Sequence, residues 1–215
     1  IYNKNIEIIR LLLDKNWTNT GIDSINIFLK LLWHEHYELA YRVFPKDIGE
    51  TQLTYMIKNI IDYQSPGNES DSDVARKYEI VLAFIDYIIH SHPNLINQSN
   101  MQRATPLMIS ICYDMKIIFK RLIKANVDVN MQSSIYFLLE HPSDIYIFNN
   151  LIDFAGNFTY PILVATYSDE MVNSLIAYRA NPCVFDSNDH NIVDYARQID
   201  DIQLDKYKKL YNTTC

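Results

Sequence analysis

The stretch that most constrains the fold begins at Thr105 and runs TPLMISICYDMKIIFKRLIKANVDVN to Asn130. A hydroxyl at Thr105 can accept a bond from a free N–H of a first helical turn, and Pro106 fits the first helical position, where a missing N–H costs nothing. Ser110 is small enough to let two antiparallel helices approach closely. Ile118, Leu122 and Ile123 then form the apolar stripe of a second helix at a spacing of about 3.6 residues. Asn126 follows where a helix ends in the left-handed conformation, which Asn tolerates best after Gly. Asp128 and Asn130 are left in an extended tail. The stretch therefore reads as helix, turn, helix and finger, a unit too thin to bury its own apolar faces, so it needs neighbours of the same kind.

Weaker copies flank it. Downstream, Ser134 to Phe158 repeats the two-helix outline, with Leu151-Ile152 closing the second helix. Tyr160-Pro161-Ile162-Leu163-Val164-Ala165 echoes the start, and Leu175-Ile176 with Ala180-Asn181-Pro182 echoes the end. DSNDHNIVDYA, from Asp186 to Ala196, opens a last unit whose closing helix, roughly 202–211, is polar. Upstream, NKNIEIIRLLLDKN reads as a second helix, Ile25 to Phe44 as a helix pair, and QLTYMIKNIIDYQ with YEIVLAFIDYIIHSHPNLIN as another. That last pair is split by SPGNESDSD, residues 65–73, an acidic loop insertion. T-P-L-x-x-A, the Leu pair and G-A-D-V-N are the marks of the ankyrin-repeat family, which this chain resembles over nearly its whole length. The resemblance implies an all-α fold: one domain over residues 1–215, an ankyrin-repeat solenoid of about seven helix-turn-helix units, the first incomplete, with a polar C-terminal cap.

Composition removes several functional classes. The 215 residues are 48% hydrophobic and 21% charged, as in ordinary globular proteins. Only four glycines occur, Gly21, Gly49, Gly67 and Gly156, too few to build phosphate-cradling loops or nucleophile elbows. A net charge of −7 argues against nucleic acid; Lys206, Lys208 and Lys209 are the densest basic run and read as a solvated helix end. No apolar stretch approaches the ~18 residues that span a bilayer. Cys112, Cys183 and Cys215 have no metal-ligand spacing and read as free thiols in a reducing compartment, hence the cytoplasm. The sequons at Asn16, Asn68, Asn97, Asn157 and Asn212 then reflect only an Asn-rich composition.

Chemistry-bearing motifs are sparse. His34-Glu35-His36 and His90-Ser91-His92 have alternate spacing, which converges on one metal only from a strand, and both fall at helix ends. The zinc-protease pattern fails because Glu38 stands where its second His belongs. No cysteine has a neighbouring glycine, and the carboxylates Asp200-Asp201 and Glu69, Asp71 and Asp73 lie in polar segments. No catalytic residue, metal or cofactor is expected. The 16 Tyr, 9 Phe and 2 Trp are suited to interface anchors as well as core; Trp17, Trp33, Tyr37 and Tyr41 read first as core.

Ankyrin domains bind proteins with finger tips and first helices, so the resemblance implies a partner-binding surface at Asn100, Gln102, Arg103, Asp128, Asn130, Gln132, Phe158, Tyr160, Phe185 and Asp189. The richness in Ile, Asn, Tyr, Lys and Asp and the drift from consensus look like the ankyrin proteins of poxviruses. That likeness implies a host-range factor that antagonises a host innate-immune or signalling protein. Many of that group recruit ubiquitin-ligase components through an F-box-like segment, which is not visible in this sequence. An intracellular bacterial effector or a cellular scaffold would share the same features.

Overall fold

The computed structural model describes residues 93–100, 103–135 and 157–215, Phe154, Ala155 and scattered positions between 7 and 90. Among the described residues helices dominate, as an all-α fold requires, and the strands are one pair of two residues each. A 3-10 helix, Pro93–Asn97, leads into α1 (Pro106–Cys112) and α2 (Lys116–Lys124). Strands β1 (Ser133–Ser134) and β2 (Phe158–Thr159) follow, then α3 (Pro161–Val164), extended by a 3-10 turn Ala165–Tyr167, and α4 (Asp169–Ala177). The chain continues in α5 (Ile192–Arg197) and α6 (Asp201–Thr214). The acidic segment 65–73, the Trp and Tyr positions 17, 33, 37 and 41, and His34 and His92 lie outside the described residues.

Local chemistry sets several of the boundaries. Thr105 accepts the Met108 N–H at 3.2 Å, with Pro106 just inside the helix. Asn191 caps α5 in a capping box completed by Asp194, and Asp200 caps α6 through the Gln203 N–H at 2.7 Å. The second helices end alike. Asn126 (φ 59°) follows α2 and Arg179 (φ 68°) follows α4. In each case the next N–H reaches back five residues, Val127 to the Leu122 carbonyl and Ala180 to the Leu175 carbonyl. This satisfies orphan helix-end carbonyls and turns the chain into the finger. Asp128 and Asn181 then make the same turn, their side chains accepting from the N–H two residues on, at 2.9 and 3.0 Å.

The first helices are buried on every side: all seven residues of α1 and all four of α3 are excluded from solvent. Ser110 inside α1 returns its hydroxyl to the Leu107 carbonyl at 2.7 Å, and Thr166, in the 3-10 turn after α3, does the same to Leu163 at 2.9 Å. The second helices bury one stripe, Ile118, Phe119, Leu122 and Ile123 on α2 and Met171, Val172 and Leu175 on α4. Upstream, Leu82, Ile85, Ile88 and Ile89 form another such stripe within the same core.

The Thr105 unit and the Tyr160 unit, which flank the segment expected to repeat the outline from Ser134 to Phe158, pack directly on each other. Helix α1 lies against α3, Lys120 of α2 pairs with Glu170 of α4 at 2.6 Å, and the Tyr167 hydroxyl donates to the Ile111 carbonyl. The tight turns that lead into the helix pairs differ at one place. Asn100 bonds Ala104 and Asp186 bonds His190 across tight turns, each with a non-glycine residue, Arg103 (φ 59°) or Asp189 (φ 62°), at the left-handed position. At the corresponding place between α2 and α3, Ser133 pairs instead with Thr159. Residues 136–153 and Gly156, on which the expected two-helix repeat falls, lie outside the described residues. Phe158, standing where Arg103 and Asp189 stand, is in a strand and needs no left-handed backbone.

Arg179 keeps a bulky side chain at positive φ, a conformation that costs a non-glycine residue about 1 kcal/mol or more. Arg179→Gly should therefore raise the thermal midpoint by an amount equivalent to about 1 kcal/mol in a melting experiment. An unchanged or lower midpoint would mean that the Arg179 side chain contributes more than its backbone costs.

Candidate functional site

The described fingers form one continuous ridge, held by hydrogen bonds that run across successive units. The Ser134 N–H donates to the Arg103 carbonyl at 3.0 Å, and Ser134 lies opposite Phe158 in the strand pair. Phe158 and Ser187 bond reciprocally: the Ser187 N–H donates to the Phe158 carbonyl at 2.9 Å, and the Phe158 N–H donates to Ser187 Oγ at 3.1 Å. Behind this line Asn97 Oδ1 accepts the Asp128 N–H at 2.7 Å. Asn130 then spans to the next unit, its Oδ1 accepting the Asn181 N–H at 2.8 Å and its Nδ2 donating to the Arg179 carbonyl at 3.1 Å.

The ridge therefore divides the sequence-predicted contact residues into two groups. Asn100, Asp128 and Asn130 spend side-chain polar atoms inside the protein, Asn100 accepting the Ala104 N–H at 2.8 Å. Tyr160 is half-buried against the core. Phe158 is half-buried with the Arg103 guanidinium 5.4 Å from its ring centroid. Gln132, Phe185 and Asp189 face solvent, and Phe185 is 47% exposed, unusual for a side chain that large. Gln102 lies outside the described residues. The first helices, expected to join the contact face, offer no exposed residue in α1 or α3.

Under the last finger lies a buried polar network that sequence reading assigned only as a repeat opening. The Asp186 side chain is fully buried. Its Oδ1 accepts the Asn188 and His190 N–H groups at 2.8 and 2.9 Å, and its Oδ2 accepts the Tyr195 hydroxyl at 2.9 Å. Since Tyr195 gives its one proton to Asp186, Thr159 donates to the Tyr195 oxygen across 2.8 Å. Burial pushes the Tyr195 phenol well above its ordinary value, so it stays a donor. His190 stacks on Phe154 with centroids 3.9 Å apart, and Phe154 meets Tyr195 edge-on. Phe154, Thr159, the last finger and α5 are thereby fixed to one another.

The cysteines depart from the expected free thiols. Cys183 and Cys215 form a disulfide, because the finger after α4 and the end of α6 meet in space although they are 32 residues apart in sequence. Cys112 alone is a free thiol, buried within α1, where burial raises its pKa and keeps it protonated. Among the described residues no group of three His, Cys, Asp or Glu side chains gathers as a metal set would require, and His90 instead bonds the Asp86 carbonyl through Nδ1 at 2.6 Å. No described helix is long and apolar enough to cross a membrane.

Neither a comparison with protein-family models nor one with curated proteins finds a match for this chain.

Removing the Tyr195 hydroxyl deprives Asp186 of a donor and Thr159 of its acceptor. Tyr195→Phe should cost about 1–3 kcal/mol of stability in denaturant unfolding, as expected for a buried network broken at one member. A loss below a few tenths would show that the network does not hold the last finger.

Proposed function

We propose that this chain is an ankyrin-repeat solenoid whose work is to bind another protein along its finger ridge rather than to catalyse a reaction. The observation that carries the reading is the division within the ridge. Its polar backbone is committed to bonds between units, while Phe185, Gln132 and Asp189 project outward. A rigid line of fingers carrying an exposed aromatic is a preorganised recognition surface, and exposed aromatics are common hot-spot anchors. Support for the repeat architecture comes from the matched helix ends at Asn126 and Arg179, the matched finger turns at Arg103 and Asp189, and the paired Asx turns at Asp128 and Asn181.

The partner we propose is a host innate-immune or signalling protein antagonised by a viral host-range factor acting in the host cytoplasm. This rests on compositional style and on degenerate repeats. Affinity purification of the protein from infected-cell lysate, with mass spectrometry, tests it. The expected result is a host antiviral or NF-κB-pathway protein retained by the native chain. The joint variant Gln132→Ala, Phe185→Ala, Asp189→Gly should lose it at least tenfold without lowering the melting midpoint. Recovery of no such protein would defeat the viral reading, and undiminished binding by the folded variant would move the contact surface off the ridge.

A further inference from the structure

We propose that the Cys183–Cys215 disulfide is a redox-operated clasp that holds α6 against the solenoid and releases it on reduction. The two ends of the bond are anchored unequally. Cys183 lies in a segment fixed on both sides: its own N–H donates to Asn181 Oδ1 at 3.0 Å, Asn181 is held by Asn130 at 2.8 Å, and Pro182 is buried. Cys215 lies just past the end of α6, a helix that buries a single side chain completely, Tyr207. Leu210 and Tyr211 add partial burial, whereas Ile202 at the other end is 79% exposed. The remaining ties of α6 are polar and converge on one residue. Asp169 receives the Tyr207 hydroxyl at 3.3 Å and the Lys206 ammonium, and that ion pair is open to water. Exposed ion pairs contribute little. Detaching α6 would uncover Tyr207 and the face of α5 against which α6 packs.

The chemistry is self-contained. A thiolate of a small dithiol or of glutathione attacks Cys215 Sγ, which is on the exposed side of the bond, and the electron pair of the S–S bond leaves on Cys183 Sγ. A second thiol of the reductant resolves the mixed disulfide, so that two electrons and two protons give Cys183 and Cys215 thiols and one oxidised reductant. Glutathione disulfide runs the sequence backwards. Cys112, buried and protonated, does not compete.

Hydrogen exchange on the full chain, with glutathione disulfide and then with dithiothreitol, tests the clasp, alongside Cys215→Ser as a permanently open form. A cross-link over this separation restrains the open state strongly. Reduction should therefore speed exchange in residues 201–214 by about tenfold or more while leaving 105–130 unchanged, and Cys215→Ser should exchange fast under both conditions. The proposal is overturned if α6 exchanges equally in both states. It is also overturned if reduction unfolds the whole chain, or if alkylation and mass measurement find three free thiols after equilibration with glutathione disulfide.

Discussion

Among the described residues the chain reverses direction at tight turns between its helices, and the packing of those helices depends on how the backbone polar groups there are satisfied. Here one polar side chain closes each tight turn on the main chain, Asn100 on the Ala104 N–H and Asp186 on the His190 N–H. The backbone strain falls on Arg103 and Asp189, where glycine would cost least. Once closed, each finger presents carbonyls and N–H groups sideways, and these bond the neighbouring finger. Register is thus copied from unit to unit: Arg103 to Ser134, Ser134 to Phe158, Phe158 to Ser187.

A second seam runs along the second helices. Arg121 of α2 bonds Asp86 at 2.6 Å and the Leu82 carbonyl at 3.0 Å, Lys120 pairs with Glu170, and Asp169 pairs with Lys206. Lys206 and the Tyr207 hydroxyl hold the Asp169 carboxyl below its ordinary pKa, so their help to folding is present above about pH 4 and fades as acid protonates it. These pairs are half-exposed and orient the layers more than they stabilise them. The stabilising burial lies between the seams, in first helices that see no water. That arrangement leaves the finger tips and the outer faces of the second helices as the described surfaces available to a partner.

How much of this was legible depended on whether a signal was local. The unit from Thr105 to Asn130 could be read because each feature is a short-range device: the Thr105 cap, Pro106 at the first position, Asn126 in the left-handed region. The segment from Ser134 to Phe158 is less legible for the same reason: apolar residues at helical spacing do not announce that Ser133 pairs with Thr159. Long-range partners were invisible. Nothing near Cys183 announces Cys215, and nothing near Asp186 announces Thr159 behind Tyr195. The contact residues were legible as finger positions, but not as to which had already spent their polar atoms on neighbouring fingers.

The direct stacking of the Thr105 and Tyr160 units is the claim on which the rest stands, and a deletion tests it most directly. Removing residues 135–156 joins Ser134 to Asn157 and, with Phe158→Gly, restores a tight turn like those at Asn100 and Asp186. The account predicts a protein that melts in one cooperative transition, with the Lys120–Glu170 neighbourhood intact by double-mutant cycle. A variant that fails to fold, or that melts in two separate steps, would show that the deleted residues form a layer of the stack and would contradict it.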